Sequence, residues 1–364
     1  MTKRGLTIVA ALAVALAGCT AEGAGPAEDA PVPSAGVYAY LTIEFGASWQ
    51  ETESELLVMD GTEKVGTSGP LLLADRPQFT TDGKYVFALP SLVDGITVIS
   101  VESGETTTVP CEGCGDRQTE CLCQFLAPIG GSEIAWLAGT DNHLVRVDLS
   151  AASPTPRPTT LTVPSADGFL DEVRVPNLIA GTDGAALASY RGILPGDDIL
   201  QPWLLPLDGQ PRQLPTGRAD STDEAVFSPD GTQVALTGGQ EYTCASVTVA
   251  DVATGAGQTA PVSAEPGTSC AEHDVYVESL WWDGDGPLNV VFEVPEENTT
   301  ADNSQRRLEG GRWVDAGHGA DKEVRQLSDG TATIDGEAPA TLHIERDGER
   351  TKVDTDVRYL TAAP

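Results

Sequence analysis

The chain has 364 residues, of which 40% are hydrophobic, and its 55 Asp and Glu against 21 Lys and Arg give a formal net charge of −34 at pH 7. This hydrophobic share predicts a packed globular body, and so acidic a surface repels phosphate groups, which excludes nucleic acid as an expected partner. Gly and Pro contribute 39 and 25 residues without a long apolar stripe at helical spacing, a composition that favours short strands and turns.

The first 18 residues have the features of a signal peptide. A positive pair, Lys3 and Arg4, precedes the apolar segment 6–17, which is too short to span a bilayer comfortably. The segment runs into Leu-Ala-Gly-Cys at 16–19, which resembles the lipobox of bacterial lipoproteins. That resemblance implies transfer of a diacylglyceryl group to the Cys19 sulfur, with acyl chains such as palmitate, and cleavage before Cys19. The alternative is an ordinary signal peptide followed by an incidental cysteine.

Three parts are therefore expected, namely a lipoprotein signal peptide at 1–18, a tether at 19–35 and a folded domain at 36–364. The tether is rich in Ala, Gly, Pro and Glu, a composition typical of flexible linkers. Two or three acyl chains on Cys19 would hold the domain at a membrane, because each buried CH₂ contributes roughly 0.8 kcal/mol. The expected location is the extracytoplasmic face of the cell membrane, with lipid as the anchoring partner.

A short motif recurs along the rest of the chain. It is clearest at 227–236, where an apolar residue leads into Ser-Pro-Asp-Gly and an alternating apolar strand follows. Asp-Gly suits a tight turn, because Gly accepts a positive φ and Asp bonds its own backbone. Asp-Gly also occurs at Asp82, Asp183, Asp283 and Asp329. The first interval is twice as long as the others, which predicts a further unit near Gly131, where Gly-Gly takes the place of Asp-Gly.

A second apolar strand follows most of these turns and itself ends in a polar or glycine turn. These second strands are expected at 55–61, 96–101, 144–149, 203–209, 246–251 and 341–348, and an alternating strand at 36–43 begins the series. The weakest unit offers only 306–314 as its second strand, after a polar loop at 296–305. Units of about 40 to 50 residues with two hairpins are typical of propeller blades, which must stack around an axis to bury both faces.

We therefore predict an all-β fold, a β-propeller of four-stranded antiparallel blades. The count of units gives seven blades, with six as the alternative if the weakest unit is an insertion, and a pair of β-sandwiches is the competing architecture. The Ser-Pro-Asp-Gly motif at 228–231 and the Thr-Asp-Gly motif at 81–83 resemble the TolB-type, WD-like repeats of bacterial envelope proteins. The resemblance covers most of the mature chain and implies a fold rather than an activity, and the Trp-Asp pair of WD repeats occurs only once, at 282–283.

Six cysteines remain beyond Cys19, and an even number in an exported protein favours disulfides. Cys244 and Cys270 are expected to pair with each other. The other four are expected to pair among themselves and to fasten the loop between the second and third units; they are Cys111, Cys114, Cys121 and Cys123. A zinc or other thiophilic metal site made by these four is the alternative, although Cys-x-Cys spacing is tight for tetrahedral coordination.

Residues with catalytic or metal-binding chemistry are few. The four histidines, His143, His273, His318 and His343, are dispersed, and neither a Gly-x-Ser-x-Gly nor a His-Glu-x-x-His motif occurs. Asp-Gly-Asp-Gly at 283–286 could offer oxygen ligands to calcium, but Val294 stands where an EF-hand loop needs Glu, so a turn is the better interpretation. We predict no catalytic residue and no cofactor.

Two aromatic residues also admit two interpretations. Trp281 and Trp282 either pack between blades or form a platform on which a sugar ring stacks. Because binding residues of scaffold folds concentrate in loops, the expected function is a monomeric binding or scaffold module for a protein, peptide or glycan. The first alternative is a lyase or glycan-acting enzyme with its site in the axial channel, which convergence of ionisable groups there would favour. The second is an envelope protein that handles metals through its cysteines or acidic loops.

Overall fold

The structure is a computed structural model. It describes residues 36–44, 46, 52–72, 74–90, 93–111, 126–167, 173–174, 176–190, 201–214, 224–238, 245–262, 275–282, 288–294, 302–317, 321–336 and 340–364. The chain divides into two compact units, Met1–Val32 and Pro33–Pro364, and every described residue belongs to the second. Within the described residues, no helix is long and apolar enough to cross a membrane.

The described part of the chain is built from strands. The first eleven are β1 (Val37–Glu44), β2 (Glu53–Asp60), β3 (Glu63–Leu72), β4 (Gln78–Phe79), β5 (Tyr85–Ala88), β6 (Gly95–Ser100), β7 (Thr106–Pro110), β8 (Ala127–Gly130), β9 (Glu133–Ala138), β10 (His143–Asp148) and β11 (Arg157–Thr162). The next ten are β12 (Ala166–Asp167), β13 (Val173–Arg174), β14 (Pro176–Thr182), β15 (Ala185–Tyr190), β16 (Trp203–Pro206), β17 (Arg212–Gln213), β18 (Ala225–Phe227), β19 (Gln233–Gly238), β20 (Ser246–Asp251) and β21 (Gly257–Pro261). The last eight are β22 (Tyr276–Trp282), β23 (Leu288–Val294), β24 (Asp302–Glu309), β25 (Arg312–Gly317), β26 (Asp321–Leu327), β27 (Gly330–Asp335), β28 (Ala340–Arg346) and β29 (Glu349–Ala362).

Five sheets each contain four consecutive antiparallel strands, namely β4–β7, β8–β11, β14–β17, β18–β21 and β22–β25. β12 and β13 form a separate hairpin. A larger sheet has the order β26-β27-β28-β29-β1-β2-β3. Its long strand β29 pairs with β28 through Val357 and then with β1 from Val357 to Ala362. The end of the chain therefore supplies the strand that completes the first unit.

The first strand of each unit lies innermost, and these strands contact one another in a closed ring. The order around the ring is the second half of β29, then β4, β8, β14, β18, β22 and β26, and β26 again contacts β29. This radial arrangement confirms the predicted propeller. Seven innermost strands occur among the described residues, which favours seven blades over the alternative of six.

Hydrophobic clusters lie between neighbouring units rather than within one unit. Each of the seven clusters of the described residues takes its members from two adjacent units. Phe87 and Trp136, for example, come from the second and third units and share one cluster. Fully burying a side chain of this kind contributes about 1.5–3 kcal/mol, so stacking of the blades is the main source of stability.

Two glycines allow neighbouring units to approach closely. A Cβ atom on Gly181 in β14 would lie 1.9 Å from the carbonyl oxygen of Pro128 in β8. A Cβ atom on Gly104 would lie 2.2 Å from the carbonyl oxygen of Val65, and the φ of Gly104 is +68°. Any larger residue at either position would push two blades apart.

The predicted second strands correspond to β2, β6, β10, β16, β20 and β28. One boundary was wrong, because β24 begins at Asp302 inside the loop predicted at 296–305. The polar residues of β24 pair in register with β23, so cross-strand hydrogen bonds form where polarity alone predicted a loop. Trp282 donates through Nε1 to the carbonyl oxygen of Val226 at 3.3 Å, which confirms packing between the fifth and sixth units.

Candidate functional site in the axial channel

Each innermost strand has two distinguishable ends. The innermost strand starts at one end of the ring, and we call this the loop end. The connection from the previous blade and the connection between the second and third strands also lie there. At the other end lie the Asp-Gly turns and the turns between third and fourth strands; we call this the turn end. The connections at the loop end are the longer ones, as 111–126 between β7 and β8 illustrates.

Four charged side chains meet inside the ring near the loop end, and we call them the axial charge cluster. They are Arg76, Glu224, Glu323 and Arg325. Arg76 precedes β4 and Glu224 precedes β18, which are not neighbours in the ring. The Arg76 Nη1 atom nevertheless lies 2.6 Å from Oε1 of Glu224. This ion pair therefore crosses the axial channel and connects the second unit to the fifth.

The other half of the cluster fastens the closing strand. Glu323 Oε1 lies 2.6 Å from Arg325 Nη2 and 3.7 Å from Arg76 Nη2. Its second oxygen, Oε2, accepts a hydrogen bond of 3.1 Å from the backbone N–H of Leu360 in β29. Because β29 completes the first unit, this carboxylate links ring closure to the paired charges.

Neighbouring groups hold the cluster in position. The backbone N–H of Glu224 donates to Thr237 Oγ1 at 3.1 Å, and Arg325 Nη1 donates to Ser279 Oγ at 2.7 Å. The guanidinium of Arg76 also lies over the ring of Tyr359, 5.4 Å from its centroid. Innermost residues of five units thus surround the cluster, and its net formal charge is zero.

Burial is incomplete and unequal across the cluster. The side chain of Glu323 is 5% exposed, those of Glu224 and Arg325 are 15% exposed, and that of Arg76 is 24% exposed. Burial raises the pKa of Glu224 above its ordinary value despite the opposing effect of Arg76. Burial lowers the pKa of Arg76, but Glu224 and Glu323 outweigh it and raise the pKa overall.

At the turn end, the turns of the second, third and fourth units bond to one another, and we call this set the turn latch. Ser132 Oγ donates to Asp82 Oδ2 at 2.6 Å, and the backbone N–H of Asp82 donates to the carbonyl oxygen of Gly131 at 3.2 Å. Asp183 in turn accepts from the N–H of Gly131 at 3.3 Å and from the hydroxyl of Thr81. The repeated motif therefore joins the second, third and fourth units as well as forming their turns.

Of the predicted site residues, only one cysteine is described. Cys111 follows β7, is fully buried and is disulfide-bonded. Cys19 and the other disulfide candidates lie outside the described residues, so the lipid anchor and the disulfide pairings stay predictions; these candidates are Cys114, Cys121, Cys123, Cys244 and Cys270.

The histidines are not brought together where they are described. His143 Nδ1 lies 2.7 Å from Asp141 Oδ1, and His343 Nδ1 lies 3.2 Å from Arg350 Nη2 at the outer edge of another unit. His273, His318 and the calcium candidate at 283–286 lie outside the described residues. Within the described ranges, no group of three His, Cys, Asp or Glu side chains is placed to hold a metal ion.

The sequence analysis missed the axial charge cluster, although a positional signal exists. Arg76, Glu224 and Glu323 each stand six residues before a turn aspartate, Asp82, Asp230 and Asp329 respectively. Equal spacing from equivalent turns places residues at one level of the ring. Aligning the units on their turns and searching for opposite charges at one column would have found three of the four members.

Comparison with known proteins shows the fold. No family model and no curated protein matches the chain. A putative 6-phosphogluconolactonase from Bacteroides fragilis is similar in structure with a TM-score of 0.54 and 10% identity over 92% of this chain and 99% of that one. A protein from Lactobacillus plantarum has a TM-score of 0.52 and 14% identity, covering 89% and 96%. A putative TolB from Agrobacterium tumefaciens, covering 90% and 99% at 13% identity, has a TM-score of 0.44.

Proposed function

We propose that this chain is a lipid-anchored β-propeller at the extracytoplasmic face of a cell membrane, where it binds a protein, peptide or glycan. The anchor is inferred from the lipobox-like residues at 16–19. Changing Cys19→Ser should move the protein from the membrane fraction to the soluble fraction of cells. Retention in the membrane fraction after this change would contradict the anchor without affecting the binding role.

The binding role is supported by the way the axial charges are used. In the described channel, both carboxylates are paired with guanidinium groups, and one also holds the backbone of β29. These pairs connect units that are distant in sequence and close the ring. Ionisable groups committed to ring closure support a rigid scaffold, on which binding residues are carried by loops.

One exposed apolar site at the loop end carries this proposal furthest. Leu72 and Val93 are the exposed large hydrophobic residues of the described chain, with 38% and 39% exposure. Leu72 ends β3 and Val93 precedes β6, and the two segments are joined by the bridge between Ala74 and Pro90. Each of the two bridged segments thus offers an exposed apolar side chain for contact with a partner, on a chain that is otherwise acidic.

Capture from intact cell envelopes tests this role. The full chain is cross-linked in cells, and partners recovered with it are compared with those of the Leu72→Ser/Val93→Ser variant. Partners that bind the loop end should fall several-fold in yield in this variant. A Glu102→Ser variant, which changes an exposed residue in a turn at the other end, is the matched control. Equal capture by both variants and the native chain would contradict binding at this site.

An enzyme with its site in the axial channel is the second candidate, because carboxylates and guanidinium groups do converge there. Glu224 is buried enough for its pKa to be raised, and 15% of its side chain stays accessible, as a general acid requires. The class inferred from the sequence is a lyase or a glycan-acting enzyme. Turnover of an envelope glycan that is lost in Glu224→Gln, with folding retained, would establish this alternative.

A further inference from the structure

The blade junctions differ in how the outer strand of one unit meets the next unit. Between the first and second units, Thr106 Oγ1 donates to the carbonyl oxygen of Thr67 at 2.8 Å. Between the fourth and fifth, Arg212 Nη1 donates to the carbonyl oxygen of Ala253 at 2.7 Å. Between the fifth and sixth, Trp313 Nε1 donates to that of Ala260 at 3.4 Å. At these three junctions the outer strand is in direct contact with the next unit.

The equivalent place between the third and fourth units is open. Here a cleft of about 300 Å³ separates β11 from the turn that joins β16 to β17. Small-ligand sites in proteins start at about this volume. The cleft lies at the position where three other junctions have a hydrogen bond between units.

The residues that line the cleft carry mostly hydrogen-bonding side chains. They include Thr160, Thr162 and Gln210 with the acidic Asp208, beside Leu161 and Leu207. Thr160, Asp208 and Gln210 make no side-chain hydrogen bond to another described residue. These groups are therefore available to a ligand as donors and acceptors.

The charge of the cleft disfavours an anionic ligand. Arg146, which also lines it, is already paired through Nη2 with Glu133, and Arg157 Nη2 lies 3.2 Å from the same carboxylate. Asp208 adds a negative charge, and the whole chain carries −34. A neutral ligand with many hydroxyl groups matches this lining, because hydroxyls both donate to carboxylates and accept from amides and guanidinium groups.

An extended peptide matches it less well. A peptide would add to the free edge of β11, but the pairing of β10 with β11 shifts register between His143 and Val145, and Pro158 lies in the strand. The N–H of Leu161 is moreover taken by Thr159 Oγ1 at 3.2 Å. Bulges, proline and self-satisfied N–H groups block strand addition.

We propose that the cleft between β11 and the β16–β17 turn is a saccharide-binding site that accommodates one or two sugar residues of a neutral glycan. This inference rests on the proposed binding role but needs neither the lipid anchor nor the loop-end site. Asp208 and Gln210 contact the sugar hydroxyls, and Leu161 and Leu207 lie beneath the ring.

Titration of the full chain with defined saccharides tests the site. The probes are glucose, galactose, mannose, N-acetylglucosamine and their β-1,4-linked disaccharides. Binding is followed by the backbone amide resonances of 159–162 and 207–210. At least one probe should bind with a Kd below about 10 mM. The Asp208→Asn/Gln210→Ala variant should weaken it by about tenfold or more, since hydrogen bonds to charged groups are lost. Glu102→Gln, in the corresponding turn of a closed junction, should leave the affinity unchanged.

Three results would overturn the inference. They are the absence of binding by every probe, equal affinity in the double variant and the native chain, and saccharide binding that is weakened only by substitution of Leu72 and Val93. Circular dichroism of the double variant should match that of the native chain, and the exposed positions of both residues favour this outcome. Absence of saccharide binding by the native chain, together with intact capture at the loop end, would contradict the cleft alone.

Discussion

At the turn end of the innermost strands, the second, third and fourth units are joined by hydrogen bonds between their turns. At the loop end, two carboxylates and two guanidinium groups meet across the ring and join units that are not neighbours. The turn latch therefore fastens three consecutive units, whereas the axial charge cluster connects the second, fifth and seventh units across the channel. The same fold is fastened locally at one end and globally at the other.

The two ends should also differ in how much stability a single substitution costs. Breaking a buried ion pair leaves a charge without compensation, which costs more than the loss of one hydrogen bond between turns. The axial charge cluster should therefore be the less tolerant of single substitutions. Replacing a whole pair with apolar residues should be milder than removing one member, because no charge is left unpaired.

The largest effect is expected from Glu323→Ala. This change leaves Arg325 and Arg76 without one carboxylate and the N–H of Leu360 without its acceptor. The free energy of unfolding, measured by urea denaturation, should fall by about 3–5 kcal/mol. Glu102→Ala, an exposed control, should change it by less than about 0.5 kcal/mol. A loss as small as that of the control would remove the distinction between the two ends.

The two ends should also respond to pH with opposite signs. The pKa of Glu224 is raised in the folded protein. Its contribution to the free energy of unfolding is therefore fully present below the ordinary pKa of 4.5 and is lost as pH rises through the raised value. Native protein should therefore gain stability relative to Glu224→Gln as the pH falls from 7 towards 4. Thermal unfolding of both proteins across this range measures the difference, and a change of the opposite sign would contradict the assigned burial effect.

At the turn latch, Asp82→Asn should destabilise the protein by about 1–2 kcal/mol at neutral pH. Burial raises the pKa of Asp82, but hydrogen bonds from Ser132, Thr80 and the backbone of Lys84 lower it further than burial raises it. The contribution of Asp82 to the free energy of unfolding is present above the ordinary pKa of 3.8 and is lost as pH falls through the lowered pKa. The stability difference between native protein and variant should therefore shrink in acid, which urea denaturation at several pH values would show.

The smallest effect is expected at an equivalent turn whose aspartate, among the described residues, bonds only within its own turn. Asp230 accepts hydrogen bonds from Ser228 and Thr232, both in its own turn. Asp230→Asn should consequently cost less stability than Asp82→Asn in the same denaturation experiment. If the two substitutions cost the same, the bond from Ser132 across the blade junction contributes nothing.

The comparison also explains what the sequence could predict. The Asp-Gly turns and the alternating strands after them are local patterns, and they were enough to predict blades and most of the second strands. The bond between Asp82 and Ser132 joins residues 50 positions apart, and nothing in either motif specifies it. The turns were predictable, whereas their contacts with one another were not.

Closure of the ring was harder still to predict from the sequence. β29 pairs with β1, which lies at the opposite end of the chain. The alternating pattern of a strand does not specify which other strand it pairs with. Arg76 and Glu224 look like ordinary surface charges in sequence, and only their shared distance from the turn aspartates sets them apart. The cleft beside β11 left no sequence signal, because it depends on how the turn between β16 and β17 packs against a strand of another unit.

A double-mutant cycle between Arg76 and Glu224 tests the central claim most directly, namely that paired axial charges hold the ring closed. Unfolding free energies of native protein, Arg76→Met, Glu224→Leu and the double variant give the coupling between the two side chains. We expect a coupling of about 2 kcal/mol or more, with the double variant more stable than Arg76→Met. A coupling below about 0.5 kcal/mol, the value of an exposed pair, would contradict it.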